Sequence, residues 1–453
     1  MNRIAMVDSV VASLIRRERN RQERGLEMIA SENFVSVAVM QAMGSVATNK
    51  YAEGYPGRRY YGGNEVIDEI ESLTIERARE LFGTPHANVQ PYSGSPANFA
   101  VYLTVCKKPE DRVLGMLLKG GGHLTHGQPV SATGMLFNTE QYGVTLDGYI
   151  DLDQIRDLAL KLRPKLIWVG ATAYARKLPF KEIGEIADEV GAISAADIAH
   201  VSGLVVSGDH ESPANYVHII TTTTHKTLRG PRAAMGMITQ KGLDRDPNLG
   251  ANYDKAIFPG LQGGPHENTI AGIAVALNEA AQPEFKEYGH QIIRNSKALA
   301  ASLMQYGIKL VTGGTDNHMA LVDLTPYGIG TGIFVEKALE GAGITVNKNT
   351  VPNDPSTPYY PSGIRIGVPA LTTRGMRERE MTKIGRWIAD VINSVSGFQL
   401  PPKDAPNRGE VIKQVVAQLR ESLGQDRVVT EVKDNVVRLC EQFPLYPNFY
   451  VLE

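Results

Sequence analysis

IITTTTHKTLRGPR, Ile219 to Arg232, is the stretch on which the reading of this chain turns. Ile219, Ile220 and Thr221 to Thr224 are all β-branched and favour an extended strand, while Gly230 and Pro231 break whatever element follows. Lys226 is thereby placed on a short turn leaving a strand. A lysine attacks carbonyls only when its amine is partly neutral, which burial or a nearby cation brings about by lowering its pKa. His225, Arg229 and Arg232 are near enough in sequence to supply that setting. Most lysines are simply solvated, so the residues upstream decide whether this one does chemistry.

Working outward, apolar strand patterns alternate with helical ones. A helix over 69–81 precedes a strand over 87–91, a helix over 97–105 and strands over 113–116 and 166–170. A helix over 180–190 then leads to strands over 192–196 and 217–221. This alternation predicts an α/β fold with a mainly parallel sheet covered on both faces. Beyond Pro265 the pattern becomes helical over 268–281 and 284–305, then α+β to the end, with a Pro-rich link over 400–406. The expected division is a helical arm and contact loop over 1–60, a large domain over 61–282 and a smaller α+β domain over 283–453.

Near the N-terminus, Val10, Val11, Leu14 and Ile15 behind Asp8 predict an amphipathic helix over 8–27, with Arg16 to Arg24, interleaved with Glu18 and Glu23, on its solvated face. The segment 49–64, NKYAEGYPGRRYYGGN, puts five glycines or prolines and four tyrosines into sixteen residues. It is too irregular for a helix and too aromatic for a flexible linker.

The 453 residues, 42% hydrophobic, suffice for two or three packed α/β units. Lys plus Arg number 47 and Asp plus Glu 49, a net charge of −2, so no overall field attracts nucleic acid or an anionic membrane. Any anionic ligand must be held locally. Cys106 and Cys440 alone do not make a disulfide framework or a thiolate metal site, and a reducing cytoplasm is the expected compartment. Neither a signal-peptide core nor a run of about 18 apolar residues is present.

In open α/β sheets ligands lie beyond the carboxyl ends of the strands. Ser93, Gly94 and Ser95 open a helix with Pro96 in its first turn, a place where free backbone N–H groups can hold a phosphate. By itself that pattern equally suits a plain N-cap. In GGGHLTHG, residues 120–127, the glycines allow close approach and His123 can lie flat on a planar ring. A zinc pair of His123 with His126 would lack an acidic partner, and no metal is expected. Asp197 leaves an apolar strand, with His200 three residues on. A carboxylate there needs a cationic partner, which a protonated pyridine nitrogen would be. Phosphate cradle, ring-stacking His, Asp and Schiff-base Lys in this order describe pyridoxal phosphate.

The chain resembles the serine hydroxymethyltransferase family of fold-type I pyridoxal phosphate enzymes along nearly its whole length. The words that carry the resemblance are ASENF, NKYAEGYPGRRYYGGNE, NVQPYSGS, GGHLTHG, DIAHVSGL, TTTTHKTLRGPR, FPGLQGGP, GGTDNH, VNKN and SGIRIGVPA. It implies a mainly parallel seven-stranded sheet in the large domain. It implies transfer of the hydroxymethyl group of serine to tetrahydrofolate, giving glycine and 5,10-methylenetetrahydrofolate. Lys226 would bind the cofactor covalently, Asp197 would face the pyridine nitrogen, His123 would stack on the ring, and Thr172 and His200 would lie near it. Ser93, Gly94, Ser95 and His225 would hold the phosphate, with Gly263 and Gly264 reaching in from a neighbouring subunit.

Arg365 with Ser31 would bind the substrate carboxylate, helped by Tyr61, His200 and Arg232. Glu53, Tyr51, Tyr61, His225 and Thr223 would join Lys226 in catalysis. Folate would touch Glu53, Tyr60, Tyr61, Leu118, Leu124 and Asn347. The resemblance further implies a homodimer with shared sites, a tetramer remaining open, and no nucleic-acid or membrane partner. The chain departs from the family pattern at Tyr92, Pro96, Lys119, Gly120, Thr172, Ala195, Ala196, Ala233 and Ala234, and none of these changes removes a reacting group. The competing readings are a folate-independent aldolase for threonine-type amino acids, an enzyme for α-methylserine, and a silent scaffold on the same fold.

Overall fold

Leu166, Ile167, Trp168, Val169 and Gly170 are buried at every position, as expected of a strand covered on both faces. In the computed structural model, which describes residues 3–447, this strand lies inside a seven-stranded sheet. Its members are β1 His86–Asn88, β2 Arg112–Met116, β3 Asn138–Tyr142, β4 Leu166–Gly170, β5 Ile193–Asp197, β6 Ile219–Thr223 and β7 Ala234–Ile238. Their spatial order is β1-β7-β6-β5-β4-β2-β3. Neighbours pair in parallel except around β7, which runs antiparallel to both β6 and β1. The register sets Asp197 opposite Thr221 and Gly170, so β4 and β5 end level and β6 runs on to Thr223.

Two strands carry little strand pattern in the sequence. Asn138–Tyr142 reads NTEQY because it is the edge of the sheet, where polar and charged side chains discourage further pairing. Ala234–Ile238 reads AMGMI, and its Gly236 is required because a Cβ there would lie on the ring and hydroxyl of Tyr253. Tyr253 in turn donates to Ala97 O at 3.1 Å. The first strand is shorter than the expected 87–91, and Val89 and Gln90 are buried beyond its end. The core gathers Val101, Tyr102, Val113, Leu166, Trp168, Ile219, Ile238 and Tyr253. Burial of one large apolar side chain is worth about 1.5–3 kcal/mol, so this layer outweighs surface ion pairs at about 0–1 kcal/mol each.

The chain divides into two compact units: residues 33–293 with 316–318, which contain this sheet, and 3–32, 294–315 and 319 onward. In the second unit β8 Met319–Asp323, β9 Asn347–Asn349 and β10 Gly363–Gly367 form an antiparallel sheet with β10 central. The helix Ser9–Arg24 begins as expected, with Asp8 Oδ1 accepting from Val10 N at 3.0 Å and Val11 N at 2.9 Å. It stops at Gly25 because Leu26 and Glu27 pair in parallel with Ile344 and Thr345. Cys106 and Cys440 are both free and buried. Among the described residues no helix is long and apolar enough to cross a membrane.

Candidate active site

Polar side chains converge where β5 and β6 end. Asp197, the last residue of β5, is buried; its Oδ2 accepts from Asn98 Nδ2 at 2.9 Å and lies 3.1 Å from His126 Nε2. Oδ1 accepts from Ala199 N at 3.0 Å. Burial alone would raise this carboxyl, but the His126 hydrogen bond and the Lys226 charge hold it well below the usual carboxylate range. Asn98 is itself fixed, accepting from Thr221 Oγ1 at 2.7 Å and donating to Thr125 Oγ1 at 2.8 Å. His126 stacks on Trp168, with ring centroids 5.2 Å apart.

His123 stands on the glycine loop, and its Nδ1 accepts from Thr125 N at 3.2 Å and sits 2.7 Å from Thr125 Oγ1. Burial, with Lys226 as a cationic neighbour, lowers its pKa to about 4 against the pull of Asp197, so the imidazole is neutral at neutral pH. The loop can bend onto the β4 exit because Gly121 adopts φ 108°, and a Cβ there would meet Ala173 O. Thr172 N donates to Gly121 O at 2.7 Å.

Lys226 is half-buried on the bend that follows Thr223. Its carbonyl is tied by Arg229 N at 3.1 Å and Asn33 Nδ2 at 2.9 Å, and its charge acts on Asp197, His123 and His225. The next residue, Thr227, donates through Oγ1 to His200 O at 2.9 Å. His200 is buried, with Nδ1 3.2 Å from His318 Nε2. Arg232 is exposed, whereas Ala233 and Ala234 are buried: Ala233 O accepts from Thr224 N, and Ala234 opens β7 opposite Thr223. Small residues thus let the strand return directly beneath the lysine turn.

The helix Gly94–Val105 starts beside the same strand end. A Cβ on Gly94 would stand 2.9 Å from the Thr223 methyl, and Ser93, the N-cap, makes no side-chain cap bond. Ser93 and Ser95 are exposed. His225 Nδ1 is buried with no hydrogen-bond partner among the described residues, and burial, Lys226 and Arg232 lower this ring to about 3.

A second cluster lies on the tyrosine loop. Tyr51 donates to Glu53 Oε1 at 3.0 Å and meets Tyr61 edge-on at 4.9 Å, while Tyr60 packs on Phe258 at 5.7 Å. The Glu53 hydrogen bond raises the Tyr51 phenol. Gly263 and Gly264 abut these groups within the same chain: added Cβ atoms would lie 3.1 Å from Glu53 Oε1 and from the Tyr51 ring. Tyr92 joins the two clusters. It stacks on His266 at 4.1 Å, donates to Gly264 O at 2.6 Å and directly precedes Ser93. Tyr51, Tyr60, Tyr61 and Leu124 are exposed and Leu118 half-buried.

In the other unit Arg365 lies on β10, buried, with Nε donating to Asn347 Oδ1 at 3.1 Å and Nη2 to Ser31 Oγ at 3.4 Å. Burial pulls this guanidinium down to about 10, so it stays charged and an incoming carboxylate would favour the charge further.

A family model described as serine hydroxymethyltransferase matches residues 4–388. The chain belongs to the serine hydroxymethyltransferase family. It is 55% identical over 394 residues to the serine hydroxymethyltransferase of Acidothermus cellulolyticus, covering 87% of this chain and 90% of that one. With that of Rippkaea orientalis it shares 51% over 442 residues, 97% of this chain and 96% of the relative. With that of Nostoc sp. it shares 50% over 445 residues, 98% and 96%. The mainly parallel sheet is that of a fold-type I pyridoxal phosphate enzyme, and the family uses tetrahydrofolate as co-substrate.

The residues present fit that cofactor. An anionic Asp197 awaits a cation, a neutral His123 ring can stack, the buried Nδ1 of His225 lacks a partner, and the serine-rich helix start offers donors to a phosphate. Asn98, Thr125 and His126 were not among the candidate residues of the sequence. The available signal was an asparagine on the buried face of a helix opening at the phosphate loop. Adding a methyl in Gly94→Ala forces the Thr223 contact apart. The expected loss is about 1–2 kcal/mol of cofactor affinity, roughly tenfold in Kd, measured by fluorescence titration with pyridoxal phosphate while circular dichroism stays unchanged.

Proposed function

We propose that this chain transfers the hydroxymethyl group of serine to tetrahydrofolate, leaving glycine, with Lys226 as the residue that bonds to pyridoxal phosphate. The observation that carries this is the buried, ionised Asp197 at the end of β5, one strand from the Lys226 turn. Bound pyridoxal phosphate supplies an electron sink for the pair released when the Cα–Cβ bond of serine breaks. Asp197 Oδ1, which accepts one bond, from Ala199 N, among the described residues, keeps a lone pair for the pyridine N–H and holds the proton there. His123 would stack on the ring, and His200 and Thr172 would lie near it. Ser93, Gly94, Ser95 and His225 bind the phosphate.

Arg365 and Ser31 hold the substrate carboxylate, and Tyr61, His200 and Arg232 are assigned to the substrate as well; a planar guanidinium suits two-point contact. Glu53, paired with Tyr51, moves the proton between the departing hydroxymethyl and the folate amine, with Tyr61, His225 and Thr223 as the further residues assigned to catalysis. Tyr60, Tyr61, Leu118, Leu124 and Asn347 are assigned, with Glu53, to folate. The exposure of Tyr51, Tyr60 and Tyr61 in one chain supports a homodimer in which these rings, with Gly263 and Gly264, serve the partner's site. The compartment is cytoplasmic on this reading, given the two free cysteines.

The test is to add glycine to the cofactor-loaded protein with and without tetrahydrofolate and to record its visible absorption. Enhancement of the glycine-induced band by folate is the expected result. A response to glycine that folate leaves unchanged would overturn the transferase in favour of a folate-independent aldolase.

A further inference from the structure

Beneath the tyrosine loop one guanidinium meets three carboxylates. The hairpin of Gly54–Tyr55 and Arg58–Arg59 brings Arg59 under the loop, where Nε lies 2.8 Å from Asp68 Oδ1 and Nη2 2.6 Å from Glu71 Oε2. Nη1 donates to Ala52 O at 2.9 Å and Gly54 O at 3.0 Å, the two carbonyls that flank Glu53. The Glu53 carbonyl accepts from Tyr60 N at 3.0 Å, and Gln90 Nε2 donates to Gly54 O at 2.9 Å. The backbone around Glu53 is thus clamped mainly through Arg59.

The third carboxylate is Glu267, the first residue of the helix Glu267–Ala280, three positions after Gly264. It is 1% exposed, neither oxygen has a hydrogen-bond partner among the described residues, and its Oε1 lies 3.9 Å from Arg59 Nη1. The charged groups facing it are Arg59, Glu71, Asp68 and Lys50. Asp68 also accepts from Gly57 N at 2.8 Å, and Glu71 from Gln90 Nε2 at 2.8 Å. Glu267 has no such donors. A helix start favours an anion only weakly, which does not offset the cost of burying an undonated charge.

We propose that Glu267 is a positioning residue for the transfer reaction: protonated, it leaves Arg59 Nη1 to the Ala52 and Gly54 carbonyls and Glu53 in place, and ionised it draws that N–H away and loosens the hairpin. A carboxylate is a stronger acceptor than an amide carbonyl, so the exchange follows from charge alone. Burial and the negative charge of Glu71 push Glu267 up to about 8, which puts the change just above neutral pH. The inference rests on the reading that Glu53 serves the transfer.

A folded-state pKa raised from 4.5 to about 8 means that the folded chain retains the proton where the unfolded chain has lost it. Stability from this group is full below about 4.5 and is lost as pH rises to about 8. The thermal midpoint of Glu267→Gln relative to wild type should therefore climb between about pH 5 and 8 and level off above. On cofactor-loaded wild type, the transfer rate to tetrahydrofolate at about pH 9 relative to about pH 7 should fall roughly fivefold more than in Glu267→Gln. Parallel alkaline profiles of the two proteins, or a midpoint difference flat with pH, would overturn the proposal. Should the glutamine variant not fold, Glu267→Leu supports the same comparison. Glu53→Gln separates the two ideas: if it keeps full transfer, the role of Glu53 fails and the positioning role with it. If it loses transfer while Glu267→Gln retains the wild-type alkaline fall, the positioning role alone fails.

Discussion

Lys226→Ala is expected to lower serine-to-folate transfer at least about a thousandfold, because the amine proposed to bond to the cofactor has no replacement in water or in a neighbouring histidine at these positions. His225 and His123 lie near it but have pKa values of about 3 and 4 through burial and cationic neighbours, so neither is a substitute base of useful strength. The variant should still fold, since the turn is held by backbone bonds from Arg229 N and Asn33 Nδ2 to the Lys226 carbonyl, which alanine keeps. Loss of the visible absorbance of lysine-bound cofactor, with an unchanged circular dichroism spectrum, is the measurement. Persistence of that absorbance would show that another residue carries the covalent bond.

Arg374→Ala is expected to destabilise the unit that contains it by about 3–5 kcal/mol. This guanidinium is buried, and it gathers the ends of two helices that sequence separates by four hundred residues. Nη1 donates to Gln22 O at 3.3 Å and Gly25 O at 3.0 Å; Nη2 donates to Glu23 O at 2.9 Å and Cys440 O at 3.1 Å; Nε donates to Phe443 O at 3.0 Å. These are carbonyls at or just beyond the C-termini of Ser9–Arg24 and Arg427–Gln442, where helical donors run out; Cys440 O also accepts from Phe443 N at 3.1 Å. A cation there also complements both helix dipoles. Alanine takes the shared donor from all five acceptors, of which Cys440 O keeps Phe443 N at 3.1 Å and Gly25 O keeps Cys440 Sγ at 3.5 Å. A lower urea midpoint, with faster trypsin cleavage among Arg16 to Arg24, would report the loss. Arg374→Lys, with one ammonium for five acceptors, should recover only part of it, and a wild-type midpoint in the alanine variant would refute this account.

Much of the sheet was legible because its central strands, such as Leu166–Gly170 and Ile219–Thr223, are buried on both faces and so read as unbroken apolar or β-branched runs. Asp8 was legible as a helix cap for a local reason, the two backbone donors it accepts lying two and three residues away. Asn138–Tyr142 was not, since an edge strand is selected for polarity and its pairing with Arg112–Met116 is remote in sequence. Ala234–Ile238 was hidden by a glycine and two methionines, chosen to admit the Tyr253 ring rather than to favour a strand.

The sequence by itself determined which reactive groups stand at strand exits: Asp197 after an apolar strand, Lys226 on the turn behind a β-branched one, His123 among glycines. Those are local properties, written in the period and punctuation of a few neighbouring residues. Only the tertiary structure decided what each group faces. His126 and Asn98 hold one oxygen of Asp197, Tyr92 fastens the Gly264 loop beside the serine-rich helix start, and Glu267 is left as the third carboxylate against Arg59. Charge and burial act through space over a few ångströms, and the partners here are 71, 172 and 208 positions apart. Residue spacing along the chain carries no record of that proximity.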